Sequence, residues 1–176
     1  MGMRLLGYRG VLAAAVVALL AANANHAQAQ STASSTADAV IATPITLSNT
    51  AGLDFGTILA GTVASTVQLT AAGAPTRTVT AGDATLASST ISAAAFSVNG
   101  TANQTYAITL PADGAVTLTG PGPAMAVNGF THDAGATPTL TGSPPDTLYV
   151  GATLSVGASQ TAGSYSGSFD VTVAYN

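Results

Sequence analysis

The sequence predicts an all-β sandwich, and three observations carry that expectation. Apolar residues recur with a period of two, most clearly at the end of the chain. There Tyr165, Gly167, Phe169, Val171, Val173 and Tyr175 share one side of an extended backbone, and Ser166, Ser168, Asp170, Thr172 and Ala174 share the other. Glycine and proline punctuate such runs at the short intervals typical of sandwiches. Thr, Ser, Ala and Gly are abundant, and no window of helical length shows a three-to-four period between caps. Residues 84–95 come nearest, but Thr85, Ser88, Ser89, Thr90 and Ile91 compete with a helix or stiffen against it.

In chain order, residues 1–29 read as a cleaved export signal. Arg4 and Arg9 supply positive charge, residues 11–22 an apolar core, and Ala27-Gln28-Ala29 the small-x-small site of a signal peptidase. That apolar run is shorter than the roughly 20 residues a spanning helix needs, so the product is expected to be secreted and not integral to a membrane. Its expected location is the cell surface or beyond, with the periplasm in transit. Residues 30–47 are expected to be a flexible lead ending in a candidate strand. Residues 30–37 lack periodicity, whereas Ile41, Ile45 and Leu47 share a parity, and Pro44, which has no amide hydrogen to donate, marks an edge or a break.

Residues 48–176 then form the sandwich. Asn49 to Gly52 reads as a turn, followed by Leu53-Asp-Phe-Gly-Thr-Ile58. Alternating runs follow at Val63 to Leu69, Ala94 to Val98, Tyr106 to Leu110, Val116 to Leu118, Met125 to Val127 and Leu148 to Val156. Asn99-Gly100, residues 111–114 and residues 120–123 supply turns. No fixed repeat period emerges, which excludes a solenoid.

Residues 30–176 contain one cation, Arg77, against seven aspartates, with no lysine and no glutamate. A nucleic acid would meet repulsion where binding requires counterion release, so no nucleic-acid partner is expected. The chain has no cysteine, which removes disulfides, thiolate chemistry and cysteine metal sites. Charge is sparse, but 47% of residues are hydrophobic and regularly spaced, enough for a packed core.

Catalytic motifs are absent. His132 precedes Asp133, but no Gly-x-Ser-x-Gly elbow accompanies them, and residues 131–135 read as a turn holding a solvated histidine. The aspartates are scattered singly, and turn chemistry accounts for Asp83, Asp113 and Asp146. Asp54 and Asp170 lie in strand-like segments, and a buried Asp54 would need backbone amides or Arg77 as a partner. Asp54-Phe55-Gly56 matches a kinase magnesium triplet by letters alone. Arg77 is expected to be exposed or held in a structural ion pair. The chain is therefore expected to be no enzyme, with no cofactor, no metal and no small-molecule substrate.

Several segments together resemble the bacterial domain-of-unknown-function family numbered 4402. They are Thr43-Pro-Ile-Thr-Leu47, Leu53-Asp-Phe-Gly-Thr-Ile58, Ala94-Ala-Phe-Ser-Val-Asn-Gly100, Thr105-Tyr-Ala-Ile-Thr-Leu-Pro111, Tyr149-Val-Gly-Ala-Thr-Leu154 and Ala162-Gly-Ser-Tyr-Ser-Gly-Ser-Phe-Asp-Val-Thr-Val173. More distantly, the Asp-Phe-Gly segment and the Ala-Gly-x-Tyr closing strand resemble spore coat protein U domains and archaic chaperone–usher pilin subunits. That wider group implies an immunoglobulin-like antiparallel sandwich short of one strand, which a neighbour's N-terminal extension supplies by β-augmentation. Unlike many of those subunits, this chain has no cysteine to form a disulfide.

On that resemblance the candidate donor strand carries Ala37, Ala39, Ile41 and Ile45 on one parity, and the candidate acceptor edge carries Tyr165, Phe169, Val171 and Val173. The expected function is that of a non-enzymatic, pilin-like subunit of a surface fibre or fimbria-like coat, assembled by strand exchange. Its expected partners are copies of itself and a periplasmic chaperone and usher. The alternative is a self-complete monomeric binding or adhesion module, secreted or periplasmic, using loops such as residues 119–124 and 133–146.

Overall fold

A computed structural model describes residues 30–141, 143 and 145–176. The export signal expected over residues 1–29 lies outside the described residues. The chain divides into two units, Met1–Ala39 and Val40–Asn176. In the first, residues 30–39 are exposed and have no regular structure. The second is all-β, with no helix among its described residues.

Its longest strand, β10 (Asp146–Val156), organises the rest. Leu148, Val150, Ala152, Leu154 and Val156 alternate along it and all are buried, the pattern of a strand with one face on the core. One edge of β10 pairs with β9 (Met125–His132). The other pairs with β6 (Ala94–Asn99) along its first half and β3 (Ser65–Leu69) along its second. Every pairing is antiparallel. The sheet is extended by β1 (Thr46–Ala51) on β6, β4 (Arg77–Ala81) on β3 and β8 (Val116–Leu118) on β9. Packed against it are the pair β7 (Tyr106–Thr109) with β11 (Thr172–Tyr175) and the short pair β2 (Ile58–Leu59) with β5 (Thr85–Leu86). The result is an antiparallel β-sandwich, as the sequence predicts.

The core has two lobes. In one, Phe55, Val116 and Met125 meet Val67, Leu69 and Leu154. In the other, Tyr106 and Leu140 meet Phe96, Val98, Leu148 and Val150. Phe169 packs on both lobes. Its ring stands edge-on to Phe96 at 6.5 Å and tilted to Phe130 at 5.0 Å. Fully burying side chains such as Leu69, Leu140 and Leu148 contributes about 1.5–3 kcal/mol each, the main force holding the layers together.

The structure departs from the sequence reading at five places. Asn49 to Gly52 is not a turn: β1 runs through to Ala51, and a bulge between Asn49 and Ala51 absorbs the turn-like residues. Thr50 donates its hydroxyl to the Ala95 carbonyl there (3.0 Å), and Asn49 donates its side-chain amide to the Ala51 carbonyl (3.0 Å). Thr46 and Leu47, grouped with the lead in the sequence, belong to β1. His132 is not a loop histidine. It closes β9 opposite Val150, brought onto the core-facing parity by a bulge at Gly129, whose φ is 57°.

Arg77 is not exposed, and among the described residues it has no ion-pair partner. Its half-buried guanidinium donates to the carbonyls of Phe55, Thr57 (3.2 Å) and Ala87 (2.6 Å), tying two loops to β4. Finally, the closing run is not one regular strand: only Thr172–Tyr175 forms a ladder, on β7.

Candidate functional site: an open seam beside the closing segment

Two chain segments come together without hydrogen-bonding to each other. One is β1, which pairs with β6 on one edge and is the last strand of the sheet on the other. The second is residues 167–171, which lack regular structure. On one side of them Ser166 exchanges two backbone hydrogen bonds with Thr119 (2.8 and 2.9 Å), and on the other β11 is laddered to β7. Between β1 and residues 167–171 lies a cavity of about 480 Å³. Leu47, Leu53 and Phe96 form one wall and Phe169 and Val171 the other, while Asn49, Ser168 and Asp170 also line it. Alternation in the sequence aims these apolar residues inward, where they pack on the lobe of Phe96 and Phe169 meets the Phe96 ring edge-on; no ladder joins the two backbones.

A polar clasp ties the segment that precedes β1 to Thr101 and to the end of β11. The Tyr175 hydroxyl donates to the Thr43 carbonyl (2.8 Å) and accepts from the Thr101 amide (2.6 Å). The Thr43 amide in turn donates to Thr101 Oγ1 (2.6 Å). Gly100 packs against the Tyr175 hydroxyl so closely that a Cβ there would collide with it.

The donor candidates fall into two groups. Ala37 and Ala39 are exposed and without regular structure. Ile41 is 96% exposed and its neighbour Val40 is 86% exposed. Ile45, by contrast, is half-buried against the lobe that holds Val98 and Leu148, so it is part of its own sandwich. Of the acceptor candidates, Phe169 and Val171 line the seam. Val173 pairs with Ile108 in β11 and packs on the same lobe. Tyr165 lies apart, packing on the lobe of Phe55 and Met125, with its hydroxyl donating to Thr161 (2.8 Å) and accepting from Gln160 (2.9 Å). Leu47, Leu53 and Phe96 complete the seam. Their inward parity is visible in sequence, but their opposition to Phe169 is not.

Elsewhere the polar residues are engaged in structure. Asp54 accepts from the Gly56 amide (2.7 Å), Asp113 from Gly129 (2.7 Å), Asp133 from Tyr149 (2.9 Å) and Asp146 from Thr141 (2.7 Å). Asp83 accepts from the Thr62 hydroxyl (2.8 Å) and the Thr62 and Val63 amides (2.9 and 3.1 Å), and these bonds, the hydroxyl's first, hold its carboxyl below the usual aspartate value. The Nδ1 of His132 is buried and has no hydrogen-bond partner among the described residues, so it forms no dyad with Asp133.

A smaller polar cavity of about 280 Å³ is lined by Tyr106, Asp133, Asp146 and the threonines 139, 141 and 147. Burial raises the Tyr106 phenol, with Asp146 and Asp133 adding to the effect. Among the described residues no group of three or more His, Asp or Glu side chains is placed to hold a metal ion.

A family model described as "Domain of unknown function (DUF4402)" matches residues 45–175. No curated protein and no solved structure matches the chain.

Proposed function

Because the chain belongs to that family, whose description names no activity, we propose its function from the seam itself: it is a structural subunit that polymerises by β-strand exchange. The lead of one copy lies in the seam of the next, adding a strand between β1 and residues 167–171, in the manner of the pilin and coat subunits its closing motif resembles. The observation that carries this reading is the pairing of an open cavity of mixed polar and apolar lining with exposed Val40 and Ile41 in the same chain. An added strand would satisfy backbone groups on both sides, while alternate side chains fill the cavity.

Asp38 selects the parity. With Ala37, Ala39 and Ile41 turned inward, Asp38 and Val40 face water; the opposite parity would bury an unpaired carboxylate, which costs several kcal/mol. Ile45 is held in its own domain and is not donated, which leaves Ile41 as the one bulky anchor. Export, a cell-surface destination, and a chaperone and usher that guard the seam in transit all belong to this proposal. The self-complete binding module remains the second reading, favoured by the polar cavity of Tyr106, Asp133 and Asp146.

The test deletes residues 31–42 from an exported chain and follows size distribution and thermal stability. Strand exchange is expected to give loss of polymers and a less stable domain that the free 31–42 peptide restores. A chain that is monomeric and equally stable with or without the segment would overturn it.

A further inference from the structure

We infer that Thr43, Thr101 and Tyr175 form a latch that keeps each lead out of its own seam and commits it to a second copy of this chain. The inference rests on the strand-exchange reading. Its physical motive is concentration: a lead tethered a few residues from its own seam meets it at an effective concentration of about millimolar, far above that of any neighbour. Without a device against it, self-filling would win and no polymer would form.

Self-filling needs a hairpin. β1 begins three residues after Thr43, so the preceding residues would have to reverse tightly around Thr43 and Pro44 to lie along it. Tight hairpins favour turns with positive φ at their first central position, and the proline ring fixes φ near −65°. Pro44 also holds Thr43 extended, away from the compact conformations a reversal uses. Both backbone groups of Thr43 are already engaged, the amide by Thr101 and the carbonyl by Tyr175. A hairpin would have to break those bonds and pull Ile45 from its place in the core.

The absence of cysteine makes the test direct. Val40→Cys and Thr172→Cys, at exposed positions that are neither the anchor nor part of the cavity lining, are introduced together in the full-length exported chain, with and without Tyr175→Phe and Thr101→Val. Each form is treated with a short bismaleimide cross-linker and resolved on a denaturing gel. With the latch intact, links between chains give a ladder. With the latch removed, the ladder is expected to fall at least tenfold in favour of monomers linked within one chain. Tyr175→Phe alone keeps the ring and removes the hydroxyl, and its thermal unfolding shows whether the domain is intact.

An undiminished ladder in a folded latch-free variant overturns the latch and leaves strand exchange standing. Internal links with the latch intact overturn both. No linkage between chains in any form, with internal links absent too, overturns strand exchange itself.

Discussion

Arg77 is the one cation of residues 30–176, and its replacement is a severe test of how the loops are held. Its guanidinium donates to Phe55 and Ala87 in half-buried surroundings and to Thr57 in exposed ones. A hydrogen bond from a charged donor contributes about 1.5–3 kcal/mol when shielded, and the exposed one little. Arg77→Met keeps most of the aliphatic stem and removes all three donors. Allowing the freed carbonyls some water, the loss should be about 2–4 kcal/mol.

For a domain of this size each kcal/mol lowers the melting temperature by about 3–5 °C, so the expected drop is about 10 °C. Arg77→Lys should recover less than half, because one ammonium cannot reach carbonyls on two loops at once. The assay is thermal unfolding by circular dichroism, since the chain has no tryptophan to report by fluorescence. Hydrogen exchange at Ala87, whose amide bonds the Thr57 carbonyl at 3.1 Å, supplies a local readout. A variant melting within 2 °C of the parent, with unchanged exchange at Ala87, would refute the claim that Arg77 ties these loops.

Three further outcomes are expected. Ile41→Ala removes three carbons from the proposed anchor, worth about 2.4 kcal/mol at about 0.8 per carbon, so subunit association measured by sedimentation should weaken roughly fiftyfold; unchanged association would remove Ile41 from the interface. The Asp83 carboxyl is held below its usual value, so its contribution is present above the unfolded-state pKa and is lost as pH falls through the lower folded value. Asp83→Asn should therefore flatten the acid limb of a melting-temperature profile below about pH 4, and an unaltered limb would count against that role. Gly151→Ala places a methyl group against the backbone of Leu69 and Ala71 at the centre of the sheet and should cost about 3 kcal/mol or more, read as a large fall in melting temperature or in soluble yield.

The strands around β10 were legible because each buries one face completely. Val67 and Leu69, then Ala94, Phe96 and Val98, and every second residue from Leu148 to Val156 are buried, the small Ala95 and Gly151 being buried on the other parity, and side-chain parity is all that such a reading requires. Alternation tells which side faces the core but not whether a neighbouring backbone is present. The run from Tyr165 to Tyr175 alternates as regularly as β10, yet it is laddered only over Thr172–Tyr175.

The same blindness hid the seam. Its walls come from β1, β6 and the closing segment, and no local pattern brings Leu47 opposite Val171. Bulges were invisible for a related reason. Asn49-Thr50 and Asn128-Gly129 have turn chemistry, and only the paired strand decides whether they end a strand or bend it. β4 went unread because Thr78 and Thr80 are exposed and its one cation gave no apolar rhythm.

The central position of β10 has a temporal consequence. Residues 65–69 and 94–98 form early in the chain, but the strand that joins them is residues 146–156, and β9 needs the same strand on its other side. A polypeptide threading out N-terminus first thus holds several half-made ribbons with bare edges until almost its whole length has emerged. Closure then comes late, through contacts distant in sequence, and is expected to be slow. During that wait the naked ribbons are the species most prone to clump, and a holdase acting then would protect the molecule more than any later stabilisation.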